Sequence, residues 1–109
     1  MKLHTVSMAL LLDFYGELLP QKQRSYMDAY YDQDLSLAEI AENEGVSRQG
    51  VHDALKRAEA ALEDYEKKLG CAEKLLHRKS VAAELRNAAE QADETLRPVL
   101  DRAVQALED

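Results

Sequence analysis

The stretch "SLAEIAENEGVSRQGV" (residues 36–51) contains two helix starts separated by a turn. Ser36 and Glu39 form the S-x-x-E pattern of a capping box, in which each side chain satisfies a backbone N–H at the helix entrance. Gly45 suits a tight turn, because a left-handed backbone conformation is least costly for glycine. Ser47 is a favourable N-cap for a following helix. The stretch therefore predicts a helix, a sharp turn and a second helix.

The residue sizes in this stretch match the demands of a helix-turn-helix motif. When Leu37 is taken as the first position, the fifth is Ala41, where a small residue is needed because the second helix crosses close by. The ninth position must turn sharply and is Gly45. The fourth, tenth and fifteenth positions fill the wedge between the helices and are Ile40, Val46 and Val51. These matches favour a helix-turn-helix over the alternative, an ordinary helical hairpin with a glycine turn.

The rest of the composition favours helix along nearly the whole chain. The 109 residues include only 4 Gly and 2 Pro, and no run of alternating β-branched residues indicates a strand. A first helix is predicted over residues 5–19, capped by Thr5 or Ser7, and Pro20 separates it from a second. In that second helix the spacing predicts an inward face made of Tyr26, Met27 and Tyr30. The expected fold class is all-α.

The helix that begins after Ser47 has no stop signal before Gly70. Its apolar residues alternate by spacings of four and three and form a stripe: Val51, Leu55, Ala58, Leu62, Tyr65 and Leu69. This stripe predicts a long helix that extends beyond the small domain and packs on another surface. The expected organisation is a helix-turn-helix domain over residues 1–70 and a helical extension over residues 71–109. Within the extension, Pro98 either kinks one helix or lies in a separate helix capped by Thr95 and ending near Leu107.

The second helix of the motif presents side chains suited to nucleic acid. At about 100° per residue, the outward positions include Asp53 and several groups able to contact base edges or phosphates. Free N–H groups at the helix start, beside Ser47, suit a phosphate. The candidate DNA-binding residues are Ser47, Arg48, Gln49, His52, Lys56 and Arg57.

The net charge argues against strong DNA binding by a single copy. The chain carries a formal net charge of -7 and a sequence pI of about 4.9, although Arg48, Lys56 and Arg57 outnumber Asp53 within residues 47–57. Since an acidic body repels the phosphate backbone, a monomer should bind DNA weakly, and a dimer that presents two such helices should bind better. The long apolar stripe and the alanine-rich extension together predict a homodimer.

Taken together, two segments resemble region 4 of bacterial sigma factors, and within that group the small YlxM-type proteins. They are "LP..QR" (Leu19, Pro20, Gln23, Arg24) and "LSLAEIAENEGVSRQGVHDALKRAEAALEDYEKKLG" (residues 35–70), and the match covers roughly residues 10–70. The resemblance implies an all-helical, sigma-like DNA-binding module with a long recognition helix. Because such proteins are encoded beside signal recognition particle genes, it also implies a regulatory part in that pathway. Gly50 departs from the family, which usually carries alanine or a similar residue there.

Other function classes find little support in the residues. The three histidines (His4, His52 and His77) and the single cysteine, Cys71, are scattered without metal-ligand spacing, and no glycine-rich phosphate loop occurs. We therefore expect no catalytic activity and no cofactor. The apolar run at residues 8–12 is too short to span a membrane, so a cytoplasmic protein is expected. The alternative function is a non-DNA helical module that binds a protein or RNA–protein component of the signal recognition particle.

Overall fold

A computed structural model describes residues 6–109 of the chain. Within this part, the chain forms six α-helices and one short 3-10 helix and no strand, so the all-α prediction is confirmed. The helices are α1 (Met8–Tyr15), followed by the 3-10 helix Gly16–Leu18, α2 (Gln21–Tyr31), α3 (Leu37–Glu44), α4 (Arg48–Leu69), α5 (Cys71–Glu90) and α6 (Arg97–Glu108).

The described residues divide into two compact units, residues 6–72 and residues 73–109. The first unit contains α1 to α4 and the first two residues of α5. The second contains the rest of α5 together with α6. The whole helix-turn-helix motif therefore lies in the first unit.

The first two helices begin and end where the sequence places their signals. The Ser7 side chain accepts a hydrogen bond from the N–H of Leu10 at 3.2 Å, while the other predicted cap, Thr5, lies outside the described residues. At Gly16 the α-helix changes to a 3-10 turn, and an added Cβ would lie 3.1 Å from Leu12 Cδ1. Pro20 occupies the N-cap position of α2. The glycine thus permits close packing at the corner between the two helices.

The core of the first unit is built around α4, which packs against α1, α2 and α3. Val51, Leu55, Ala58 and Leu62 are all buried in that core, where Val51 lies as its place in the wedge predicts, so the expected packing of the helix on another surface does not involve these four residues. Only Leu69 at the end of the stripe is markedly exposed, at 51%. The reason is that three short helices, rather than a second long one, cover the apolar face of α4.

One predicted inward residue of α2 lies elsewhere. Tyr26 and Met27 are buried as expected, but Tyr30 is exposed and Tyr31 is half-buried in its place. The Tyr31 hydroxyl donates a hydrogen bond to Glu59 Oε2 at 2.5 Å. The burial of Tyr31 in place of Tyr30 is thus associated with a polar partner on α4. The spacing of apolar residues along α2 gives no information about that partner.

In the second unit α5 and α6 are separate helices, which decides between the two predictions for Pro98. Pro98 lies in the first turn of α6, where its missing N–H costs little. The prediction that Thr95 caps this helix is wrong. Asp93 Oδ1 instead accepts the N–H groups of Thr95 and Leu96 at 3.0 and 2.8 Å. The Arg97 guanidinium also donates to the carbonyl of Ala89 at 2.9 Å. Aspartate is a strong acceptor for backbone N–H groups in such turns.

Candidate nucleic-acid interface

The helix-turn-helix motif is held by the local interactions that its sequence predicts. Ser36 and Glu39 exchange two hydrogen bonds of 3.1 Å in a complete capping box. The hydrogen bond from the Ser36 N–H, and then the Ser36 side chain, hold the pKa of the Glu39 carboxyl below its usual value. Gly45 adopts φ 67° and ψ 33°, in the left-handed region. The N–H of Val46 then donates to the carbonyl of Ala41 at 3.1 Å. These contacts fix the end of α3 and the direction of the turn.

The wedge between α3 and α4 is filled as the residue sizes require. Ile40, Ala41 and Val51 are 1%, 8% and 0% exposed, and Val46 is half-buried. The side chain at the crossing point is the small one, Ala41. A close-packed wedge of this kind holds the crossing angle of the two helices, because interiors pack as densely as organic crystals. The start of α4 is therefore presented on a rigid support.

The first turn of α4 keeps free backbone donors at the surface. Ser47 Oγ accepts the N–H of Gly50 at 3.0 Å and caps the helix. The N–H groups at the first two helical positions, Arg48 and Gln49, have no intrahelical acceptor in an α-helix. Such a helix start, with its partial positive charge, favours an anion.

The six candidate side chains come together over the first turns of α4. Five of them are exposed, and the His52 side chain is 45% exposed. Within residues 6–109, the Arg48 side chain makes no hydrogen bond or ion pair. The charged and polar groups are thus collected on one surface, with Arg48 available for a ligand.

Two carboxylates on α4 engage three of these side chains. Gln49 Nε2 donates to Asp53 Oδ1 at 2.9 Å, and His52 Nδ1 lies 3.4 Å from the same oxygen. Lys56 Nζ lies 3.6 Å from Glu59 Oε1. The pKa of Asp53 is lowered, mainly by the hydrogen bond from Gln49 and then by that from His52.

Sequence reasoning missed the roles of both carboxylates. Gln49–Asp53 and Lys56–Glu59 have the spacings at which helical side chains meet, so both pairs were readable from the sequence. The hydrogen bond from Tyr31 to Glu59 joins residues 28 apart in the chain, and no local pattern signals it. Burial raises the pKa of Tyr31, and the neighbouring Glu59 raises it further.

The unit that carries this face is strongly acidic. Residues 6–72 contain 7 basic and 13 acidic residues, a net charge of -6. No lysine or arginine occurs between residues 25 and 47, a segment with six carboxylates: Asp28, Asp32, Asp34, Glu39, Glu42 and Glu44. We call residues 28–44 the acidic segment. It covers the end of α2, the following loop and α3, so the helix that precedes the turn brings negative charge to the motif.

Replacing Gly50 by alanine is expected to stabilise the protein by about 0.5–1 kcal/mol, because glycine is entropically costly inside a helix. An added Cβ would lie 3.1 Å from Ser47 Oγ, a tight contact with one rotatable side chain. Glu39 lies three residues after the N-cap Ser36, as Gly50 lies three residues after the N-cap Ser47. The Ser36 cap is intact although Glu39 has a Cβ, so a Cβ at this position is compatible with a serine cap. Urea denaturation followed by circular dichroism measures the change.

Gly45→Ala is the matched control for this substitution. Gly45 has open space around it but a φ of 67°, so an added side chain strains the backbone and the variant should lose stability. A loss of stability in Gly50→Ala as well would show that the contact with Ser47 outweighs the gain in helix propensity.

The described residues offer neither a metal site nor a membrane span. Among residues 6–109, no group of three or more His, Cys, Asp or Glu side chains is arranged to hold a metal ion. No helix in the same range is long and apolar enough to cross a membrane.

Comparison with known proteins assigns the whole motif to one family. The family described as "Putative helix-turn-helix protein, YlxM / p13 like", UPF0122, matches residues 2–101. A UPF0122 protein of Shouchella clausii (strain KSM-K16) is 51% identical over 100 residues, which cover 90% of this chain and 92% of that relative. UPF0122 proteins of Bacillus cereus (strain AH187) and Bacillus anthracis (strain A0248) are each 47% identical over 104 residues, covering 95% of this chain and 94% of theirs. The chain therefore belongs to the UPF0122 family of helix-turn-helix proteins.

Proposed function

We propose that this protein is a cytoplasmic regulator that binds double-stranded DNA through the start of α4. The observation that carries the proposal is the rigid wedge of Ile40, Ala41 and Val51, which presents a basic and polar helix face to solvent. In helix-turn-helix proteins the second helix enters the major groove with its N-terminal residues against the bases. The family description supports the motif but names no ligand.

Two of the candidate residues suit base edges. Arg48 has the fork geometry for the O6 and N7 atoms of guanine, and Gln49 suits an adenine edge. His52 adds a further donor at the surface, beside Asp53. In the proposed complex, Arg48 and Gln49 read the sequence.

The other candidate residues suit the phosphate backbone. Lys56 and Arg57 lie further along α4 and can contact phosphates on either side of the groove. Ser47 caps the helix whose free N–H groups meet a phosphate. These three residues position the helix on the duplex, since phosphate contacts carry no sequence information of their own.

The proposal includes two copies on each DNA site. A single face with three basic residues lies on a unit of net charge -6, and two linked faces raise the effective affinity without new contacts. We assign dimerisation or packing to the C-terminal extension, residues 71–109, where Leu96 and Val99 are about half exposed at 50% and 48%. The stoichiometry of the DNA complex, from sedimentation of protein with duplex, distinguishes one copy from two.

The proposal predicts that Arg48→Ala and Lys56→Ala each weaken binding to a selected duplex by about tenfold, since one such contact contributes about 1–3 kcal/mol. Lys56→Ala should also reduce the dependence of log affinity on log salt by about one, because one fewer phosphate is neutralised. Fluorescence anisotropy over a series of salt concentrations measures both quantities.

Lys67→Ala is the matched control for these two variants. It removes the same charge from an exposed position on the same helix, about five turns beyond Arg48. It should leave affinity nearly unchanged. Equal binding by all three variants and the parent protein would overturn the assignment of the site.

A second candidate function is favoured by the acidic segment. Within residues 6–109, only Asp28 of its six carboxylates lies beside a basic side chain, with Oδ2 3.6 Å from Arg24 Nε, and such a surface suits a basic partner better than a phosphate backbone. In this alternative the motif is a scaffold that binds a protein or RNA–protein component of the signal recognition particle. Titration with purified particle protein, alone and with its RNA, compared with duplex DNA, separates the two candidates. Binding to DNA alone would exclude the second.

A further inference from the structure

The carboxylate of Asp53 lies at the centre of the exposed face of α4. At about 100° per residue its position is opposite the buried stripe of Val51, Leu55, Ala58 and Leu62. The side chain is 55% exposed. Oδ1 accepts the hydrogen bond from Gln49 and lies beside His52, whereas Oδ2 receives no hydrogen bond from any residue in the range 6–109. One carboxylate oxygen is thus held by its neighbours, and the other has no hydrogen-bond partner among the described residues.

The chemistry of a carboxylate restricts what it contacts in DNA. With its pKa lowered, Asp53 is ionised at neutral pH and is an acceptor only. A phosphate in contact with this side chain would be repelled. The favourable partners in the major groove are therefore the exocyclic amino groups of the bases, which belong to cytosine and adenine.

These two amino groups have different surroundings. Adenine N6 lies beside N7, an acceptor that repels a carboxylate, whereas cytosine offers the N4 amino group without an adjacent acceptor of its own. The hydrogen bond from Gln49 to Oδ1 restricts the orientation of the Asp53 carboxylate and leaves Oδ2 to accept a hydrogen bond from a ligand. We propose that Asp53 reads a cytosine in the target site by accepting a hydrogen bond from its N4 amino group. This inference rests on the proposed DNA-binding function.

The test is selection of binding sites from a random duplex pool by the full-length protein and by Asp53→Asn. The parent protein should select cytosine at one position of each half-site. The substituted side chain keeps an acceptor and gains a donor, a pair that matches adenine N6 and N7. The expected result for Asp53→Asn is a change from cytosine to adenine at that position, with preference for the original base reduced by about tenfold.

Asp64→Asn is the matched control, because Asp64 lies on the same helix with a side chain that is 54% exposed. It is eleven residues beyond Asp53, about 16 Å along the helix axis, and near the same angular position. Asp64→Asn removes the same charge and should leave the selected sequence unchanged. A shift with this variant too would assign the effect to net charge.

The outcomes distinguish failure of the cytosine contact from failure of DNA binding. If the parent protein selects a sequence and Asp53→Asn selects the same one, the inference about cytosine is overturned while DNA binding stands. If the base preference changes only at the position read by Gln49, Asp53 acts by positioning that side chain, and the direct contact is excluded. If the parent protein binds no duplex at all, the proposed function fails and the inference fails with it.

Discussion

Replacing Tyr15 by phenylalanine is expected to lower the free energy of unfolding by about 1–3 kcal/mol, the cost of losing a buried hydrogen bond to a charged partner. Tyr15 is 3% exposed, and its hydroxyl donates to Glu66 Oε1 at 2.7 Å. The same hydroxyl accepts the N–H of Cys71 at 3.1 Å, and Glu66 Oε1 accepts the N–H of Ala72 at 3.0 Å. This one side chain therefore joins α1 to the end of α4 and satisfies the start of α5.

Tyr26→Phe is the control for the Tyr15 substitution. Tyr26 is also buried, at 4% exposure, but its hydroxyl makes no hydrogen bond to a residue within 6–109. Urea denaturation of both variants isolates the contribution of the hydrogen bonds, because each loses one buried hydroxyl. Equal losses would mean that the Tyr15 bonds add nothing beyond the burial of the hydroxyl.

The same tyrosine predicts how stability depends on pH. Burial raises the pKa of Tyr15 well above its ordinary value near 10, and the bond to Glu66 raises it further. A raised pKa means that the folded state favours the neutral hydroxyl. Its contribution is present below pH 10 and is lost as the pH rises above that value. Stability of the parent protein should thus fall more steeply above pH 10 than that of Tyr15→Phe.

The backbone of the fold was largely predictable because its signals are local. Ser36, Gly45 and Ser47 act on backbone groups within four residues, so their roles follow from spacing alone. The packing partner of α4 was not predictable in the same way. The apolar stripe from Val51 to Leu62 indicates that one face of the helix is buried, but it does not indicate which helices cover that face.

The site could be predicted as a set of residues more readily than as a network. Arg48, Gln49, His52 and Lys56 follow from the helix phase, and the structure brings them to one face. The hydrogen bond from Tyr31 to Glu59 lies outside any local pattern, because it depends on how α2 packs on α4. Whether these residues bind DNA depends on a partner, and helix phase contains no such information.

Ala41→Leu should have the largest effect on the proposed site, since it puts a bulky side chain where α3 and α4 cross. Ala41 is 8% exposed, and its carbonyl accepts the N–H of Val46 in the turn. Overfilling a packed core costs about 1–3 kcal/mol, through displaced backbone and strained rotamers. Here the displaced element is the start of α4, so DNA affinity should fall together with stability.

Ala38→Leu separates this effect from the introduction of a leucine. Ala38 lies on the same helix but is exposed, and alanine and leucine are both strong helix formers. In urea denaturation and in anisotropy with one duplex, Ala38→Leu should therefore remain close to the parent protein.

If Ala41→Leu behaved like Ala38→Leu in both measurements, the small residue at the crossing would not set the angle between α3 and α4. The rigid presentation of α4 would then lose its physical basis. If Ala41→Leu lost stability but kept its DNA affinity, the crossing would matter for the core alone, and contacts outside the start of α4 would have to carry the binding.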